Sequence, residues 1–326
     1  MPNTTERPLN LGLISLVAIA TFITVPAIAQ QSAADAMLRG QVTFSSDVVN
    51  PDIKTKDKPA MTAKGKAAGD LVLATPALTD PKGFAINWST RVGFQHEGMP
   101  KTDPFPVKGF ILVREINTSD GSKPDKEGRY SGAGEGPSLK FSINDLHAFY
   151  SGNIEAMNPA TGAFDLPATA KWENGAMIFQ QNNDTVMVIG RADRAPFRHV
   201  TREEFINELI AELYPDGTDP YSKPGKGLSA LKAELAEMTP ADRASPACRG
   251  GKEVKNRWLT SCGDEGSYFQ VKANHDYFDR TKPHVSTQLV TYRVSGHRVG
   301  GAKREGDVLR AAFSQIDPAA VRKLLD

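Results

Sequence analysis

Residues 172–214 read WENGAMIFQQNNDTVMVIGRADRAPFRHVTREEFINELIAELY, and this stretch decides the fold class. Two apolar runs, Ala176-Met177-Ile178-Phe179 and Thr185-Val186-Met187-Val188-Ile189, flank Asn182-Asn183-Asp184. Asn and Asp tolerate the left-handed backbone of tight turns, so the pattern predicts a β-hairpin. Thr201 with Glu204 three residues later is a helix-start signature. Phe205, Ile206, Leu209, Ile210 and Leu213 then recur at helical spacing until Pro215 stops the run.

Outward from this stretch, strands are predicted on the N-terminal side at Leu71-Val72-Leu73, Phe84–Trp88, Phe110–Val113 and Leu139–Ile143. Two more are predicted at His147-Ala148-Phe149-Tyr150 and Ala170-Lys171-Trp172. On the C-terminal side, Leu228, Leu231, Leu235 and Met238 predict a helix, and a further turn starts at Thr239-Pro240. Two strands follow around Tyr268 and Gln288, then two helices, the last capped by Asp317 with Pro318 at its first position. The expected fold is α+β. A mostly antiparallel, β-rich N-terminal part (71–214) precedes a helical and β C-terminal part (215–326), the two packing separately or as one domain. Residues 45–70 are rich in Lys, Ala, Pro and Thr with few large apolar side chains, so 30–70 is read as a flexible arm.

The chain has 326 residues, 40% of them hydrophobic and 24% charged, which is enough apolar material for a sizeable core. A formal net charge of +1 lacks the basic excess of a dedicated nucleic-acid binder or of an electrostatic lipid anchor. Arg7 precedes an apolar segment over 9–25, and Pro26-Ala27-Ile28-Ala29 follows. This is the pattern of a secretory signal peptide (1–29) cut before Gln30. An exported chain is therefore expected, periplasmic or extracellular, with no transmembrane segment after cleavage. Cys248 and Cys262 are the two cysteines, and in an oxidising compartment they are expected to form a disulfide. The enclosed loop carries Arg249, Lys252, Lys255, Arg257 and Trp258, read as solvated surface over the bridge.

No catalytic motif organises the chain. No His-Glu-x-x-His and no Gly-x-Ser-x-Gly occurs. Gly132-Ala133-Gly134-Glu135-Gly136 runs into Pro137 rather than a helix, so no nucleotide cradle and no cofactor is expected. The densest polar cluster, His275, Asp276, Asp279 and His284, holds metal-ligating residue types, but Asn, Asp and Pro also make this an Asx-rich turn between strands. Arg194, Arg198 and His199, with Arg191, make the segment after the hairpin basic, and a ligand-binding role at a cleft mouth is assigned to them. The reading is an exported, non-catalytic protein that binds an envelope ligand or partner. The alternative is an extracellular hydrolase with a site assembled from scattered residues.

Overall fold

A computed structural model describes residues 35–94, 100–118, 121–148, 161–181, 183–219, 227–250, 259–295 and 303–326. Residues 1–29, expected from sequence to be a signal peptide, lie outside them, as do Phe149, Tyr150, Lys252, Lys255, Arg257 and Trp258. The described residues hold eleven strands and seven helices in mostly antiparallel sheets, the expected α+β class.

The larger sheet has seven strands. In chain order these are β1 (Val42–Val48), β2 (Phe84–Val92), β3 (Val107–Glu115), β4 (Ser138–Ile143), β6 (Ala176–Gln181), β7 (Asp184–Gly190) and β11 (Leu289–Ser295). Their spatial order is β1-β2-β3-β4-β11-β7-β6. Only β1 and β2 run parallel among these neighbours. The hairpin forms as expected, with Gln181 opposite Asp184. The smaller sheet joins β5 (Phe164–Pro167), β10 (Ser267–Ala273) and β8 (Phe197–His199), with β9 (Cys248–Gly250) paired to β10.

Alternation along the strands sends side chains to two different cores. Ile86, Trp88, Ile111, Val113, Phe141, Tyr292 and Ile189 face one way, under α1 (Lys58–Leu73), α6 (Lys303–Ser314) and α7 (Pro318–Arg322). Met177, Phe179, Val186, Val188 and Leu289 face the other way and meet Phe164, Leu166, Phe197 and Val271 of the smaller sheet. A third cluster joins α3 (Arg202–Leu213) and α4 (Gly227–Glu237) through Phe205, Ile206 and Leu231 to Val200, Ala247 and Leu259. The two remaining helices are short, α2 (Pro76–Thr79) and α5 (Pro240–Ala244).

Three expectations are corrected. Residues 45–70 are not a flexible arm: they hold most of β1 and of α1. The buried face of α1 is Met61, Gly65, Ala68, Gly69 and Val72, so it lacks the large side chains whose spacing announces a helix. Leu71-Val72-Leu73 is the last turn of α1, not a strand. Ala170-Lys171-Trp172 lies outside the strands, Ala170 N–H closing a turn onto Pro167 O, and His147 and Ala148 form a turn. Sequence reading left open whether 71–214 and 215–326 pack separately or together; β11, from the second part, lies in the larger sheet between β4 and β7 of the first.

Thr201 caps α3 as its motif requires, its hydroxyl accepting from Glu204 N–H at 3.1 Å. The Glu204 carboxylate turns to the smaller sheet. It takes two hydrogen bonds from Arg198, at 2.7 and 2.8 Å, and one from Lys272 Nζ at 3.0 Å. Hydrogen bonding from Arg198, then from Lys272, outweighs partial burial and holds the Glu204 carboxyl down at about 2, against an ordinary 4.5. A depressed carboxyl stabilises the fold above its unfolded pKa and loses that contribution as pH falls through the folded one. Glu204→Gln should therefore cost about 2 kcal/mol at neutral pH, after allowing for solvent screening, and nothing below pH 2. Urea unfolding at stepped pH checks this: the gap between wild type and variant should close between pH 4.5 and 2. A gap independent of pH would contradict it.

Candidate functional site

Loops from both halves of the chain meet at one end of the larger sheet, and their junction is polar and buried. Asn144, just beyond β4, is its hub. It is 2% exposed, with φ of 54°, a left-handed conformation that Asn accepts more readily than most residues. Its Nδ2 donates to Ser286 O at 2.7 Å, and its Oδ1 accepts from Gln288 N–H at 2.8 Å. The Gln288 side chain accepts from Asp279 N–H and donates to Asp279 O, at 2.7 and 3.0 Å. Tyr277, fully buried, donates its hydroxyl to Gln288 O and accepts from Arg191 N–H, both at 2.8 Å. Burial raises the Tyr277 pKa, so it stays a neutral hydrogen-bonding post. Gly190 is required beside it, since a Cβ there would overlap the Tyr277 hydroxyl.

Against this scaffold lies a small pocket of about 280 Å³. Arg191 and Arg322 both line it, with Gln288, Asn174 and Asp326 among its other lining residues. Arg191 is oriented by Asp193, which accepts from Nε and Nη2 at 3.0 and 2.7 Å, while Nη1 donates to Tyr277 O at 3.3 Å. Arg322, at the end of α7, donates through Nη2 to Asn174 O at 2.7 Å. Asn174 (φ 52°) and Gly175 (φ 75°) form the left-handed turn that leads into β6 and presents this carbonyl. Asp326 accepts from Thr287 N–H at 2.6 Å and pairs with Lys64, so its carboxylate has partners in the protein.

The residues singled out from sequence divide. Arg191 lines the pocket; Arg194, Arg198 and His199 do not. Arg194 donates to the backbone carbonyl of Asp276, and Arg198 is paired with Glu204. His199 lies edge-on to Phe197 and Phe269, with centroids at 5.7 and 4.5 Å. Desolvation there pushes its imidazole below the ordinary pKa.

His275, Asp276, Asp279 and His284 share one loop but do not converge. Asp279 Oδ1 takes the N–H and hydroxyl of Thr281, at 3.0 and 2.6 Å. The Asp276 carboxylate lies in solvent, 3.6 Å from Arg280 Nη1, and the His284 ring packs on Phe105 at 5.5 Å. The His275 carbonyl accepts from Arg280. Among the described residues no group of three or more His, Cys, Asp or Glu side chains is placed to hold a metal ion.

Sequence reading missed Arg322, Gln288, Asn174 and Asp103. Asp103 is 2% exposed; its Oδ1 accepts from Arg280 Nε at 3.0 Å and its Oδ2 is buried without a donor. Desolvation raises its pKa against the opposing pull of Arg280. The Cys248–Cys262 disulfide is formed, and Arg249 beside it lies 5.8 Å from the Phe205 ring centroid. Among the described residues, no helix is long and apolar enough to cross a membrane. No protein-family model, curated protein or solved structure matches the chain.

Proposed function

We propose that this is an exported, non-catalytic binding protein whose pocket takes a small anion, such as a carboxylate or phosphate group, between Arg191 and Arg322. Two arginines among the residues lining one small concavity carry this reading. Guanidinium donors match carboxylate and phosphate oxygens; the Nε–Nη2 edge of Arg191 is taken by Asp193, so Arg191 offers an anion its remaining Nη hydrogens. Arg191 is already held in place by Asp193 and the Tyr277 carbonyl, so little ordering is required of it on binding. Export is supported by the signal-like segment of residues 7–29 and by the disulfide.

Isothermal titration with inorganic phosphate and with acetate tests the anion site. One of the two should bind the wild type, and Arg322→Ala should weaken that binding by about tenfold or more, as loss of a charge-assisted hydrogen bond does. Arg322 is exposed, so the variant should keep its fold. No heat from either anion, or equal affinity in the variant, would remove the proposal. The hydrolase alternative draws on one observation, the buried Asp103 carboxyl with its raised pKa and donor-free oxygen. Turnover of chromogenic esters or glycosides that is lost in Asp103→Asn would favour it.

A further inference from the structure

We propose that β1 is a self-association edge, through which two copies of this chain join their larger sheets around a two-fold axis at Ser45. β1 is the first strand of the seven-stranded sheet, and no described strand pairs with its outer side. Val42 through Asp47 are exposed, with Val42 at 45% and Phe44 at 40%. Natural sheet edges are usually blunted by Lys, Pro, a bulge or a covering segment. The sequence VTFSSDV contains no Lys, Pro or Gly, and it pairs with β2 over all seven residues without a bulge. The opposite edge, β6, is tied to the smaller sheet by Gln181 Nε2 donating to Asp165 O.

The hydrogen-bond pattern specifies which groups are available. Ile86 N–H donates to Gln41 O at 2.8 Å, and Val49 N–H donates to Val92 O at 3.0 Å. The odd-numbered residues of β1 therefore turn their backbone groups toward β2, and Val42, Phe44, Ser46 and Val48 turn theirs outward. An antiparallel second copy centred on Ser45 sets Val42 opposite Val48 and Phe44 opposite Ser46, so all four outward residues of each strand are paired. Centring on Phe44 or Ser46 instead leaves an outward residue unpaired at one end of each strand. In the Ser45 register Asp47 meets Thr43, so no like charges face each other, and Phe44 lies diagonal to its counterpart next to Trp88, with which it is already in ring contact at 4.2 Å. The surface is thus self-complementary, as a two-fold interface requires. Two strands bury less than the roughly 1,000 Å² of a stable interface, so the dimer should be weak and concentration-dependent.

Cysteine crosslinking reads the register. At the axis the two Ser45 residues form a non-hydrogen-bonded pair with Cα atoms about 4.5 Å apart, within disulfide range. Ser45→Cys should crosslink to a dimer on a non-reducing gel. Thr43→Cys and Asp47→Cys should each stay monomeric alone, their equivalent positions lying about 14 Å apart, and should crosslink to one another when mixed. Sedimentation of the wild type should show a monomer–dimer equilibrium, and Ser45→Lys, which sets like charges at the axis, should weaken it by about tenfold or more. A wild type that stays monomeric at every concentration, with no preferential crosslinking of Ser45→Cys, would overturn the proposal. Crosslinking at Ser45 without the Thr43–Asp47 cross-pair would overturn its register.

Discussion

Replacing Gly69 by Val should lower the stability of this protein by about 3 kcal/mol, the upper end of what overpacking a close-fitted core costs. α1 lies on the larger sheet through two glycines one turn apart. A Cβ at Gly65 would come within 2.8 Å of Val107 Cγ1, and one at Gly69 would fall closer still to the Trp88 ring. Neither can be relieved by a rotamer change at the surface. Trp88 is 4% exposed, and Tyr292 ties the helix down by donating its hydroxyl to Ala68 O at 2.9 Å. Gly306 in α6 is the internal control. A Cβ there meets only the Arg310 guanidinium, at 3.4 Å or more. Gly306→Ala should stabilise the protein by about 0.5–1 kcal/mol, since Ala is the better helix former and restricts the unfolded chain. Urea denaturation midpoints check both: the Gly69 variant should shift down and the Gly306 variant up. A Gly69→Val midpoint equal to wild type would show that α1 is not seated as described.

Removing the disulfide should have the next largest effect. Cys248 and Cys262 are separated by 14 residues, and closing a loop of that size is worth about 3 kcal/mol on the chain-entropy model. The bridge lies beside Ala247 and Leu259, which are buried in the cluster that seats α3 and α4. Cys248→Ser with Cys262→Ser should lower the thermal midpoint by several degrees in non-reducing buffer, and reducing the wild type should reproduce the loss. An unchanged midpoint in the double variant would show that the bridge contributes nothing to the folded state.

What sequence reading recovered was governed by neighbours along the chain. The hairpin and α3 follow from Asn182-Asn183 and from the Thr201 and Glu204 pair, because turn and cap preferences act over three or four residues. The disulfide follows from the presence of two cysteines near each other in sequence. α1 was not legible, because close packing against Trp88 selects small residues on its buried face and so removes the periodicity that marks a helix. β1 was not legible because six of its seven residues are exposed and give no alternation. The pocket shows the same limit: Arg191 belonged to a visible basic segment, while Arg322 reaches it from α7, far along the chain.

Sequence alone determined the α+β class, the hairpin, the caps of α3 and the last helix, and the pairing of the cysteines. Each depends on backbone preferences or on covalent chemistry available to a short segment. Tertiary structure alone decided that β11 lies between β4 and β7, so the two halves of the chain share one sheet. It also decided that Arg198 is paired with Glu204 and that Arg191 and Arg322, distant in sequence, line one pocket. These outcomes depend on which distant side chains compete for each charge, and spacing along the chain carries no record of that competition.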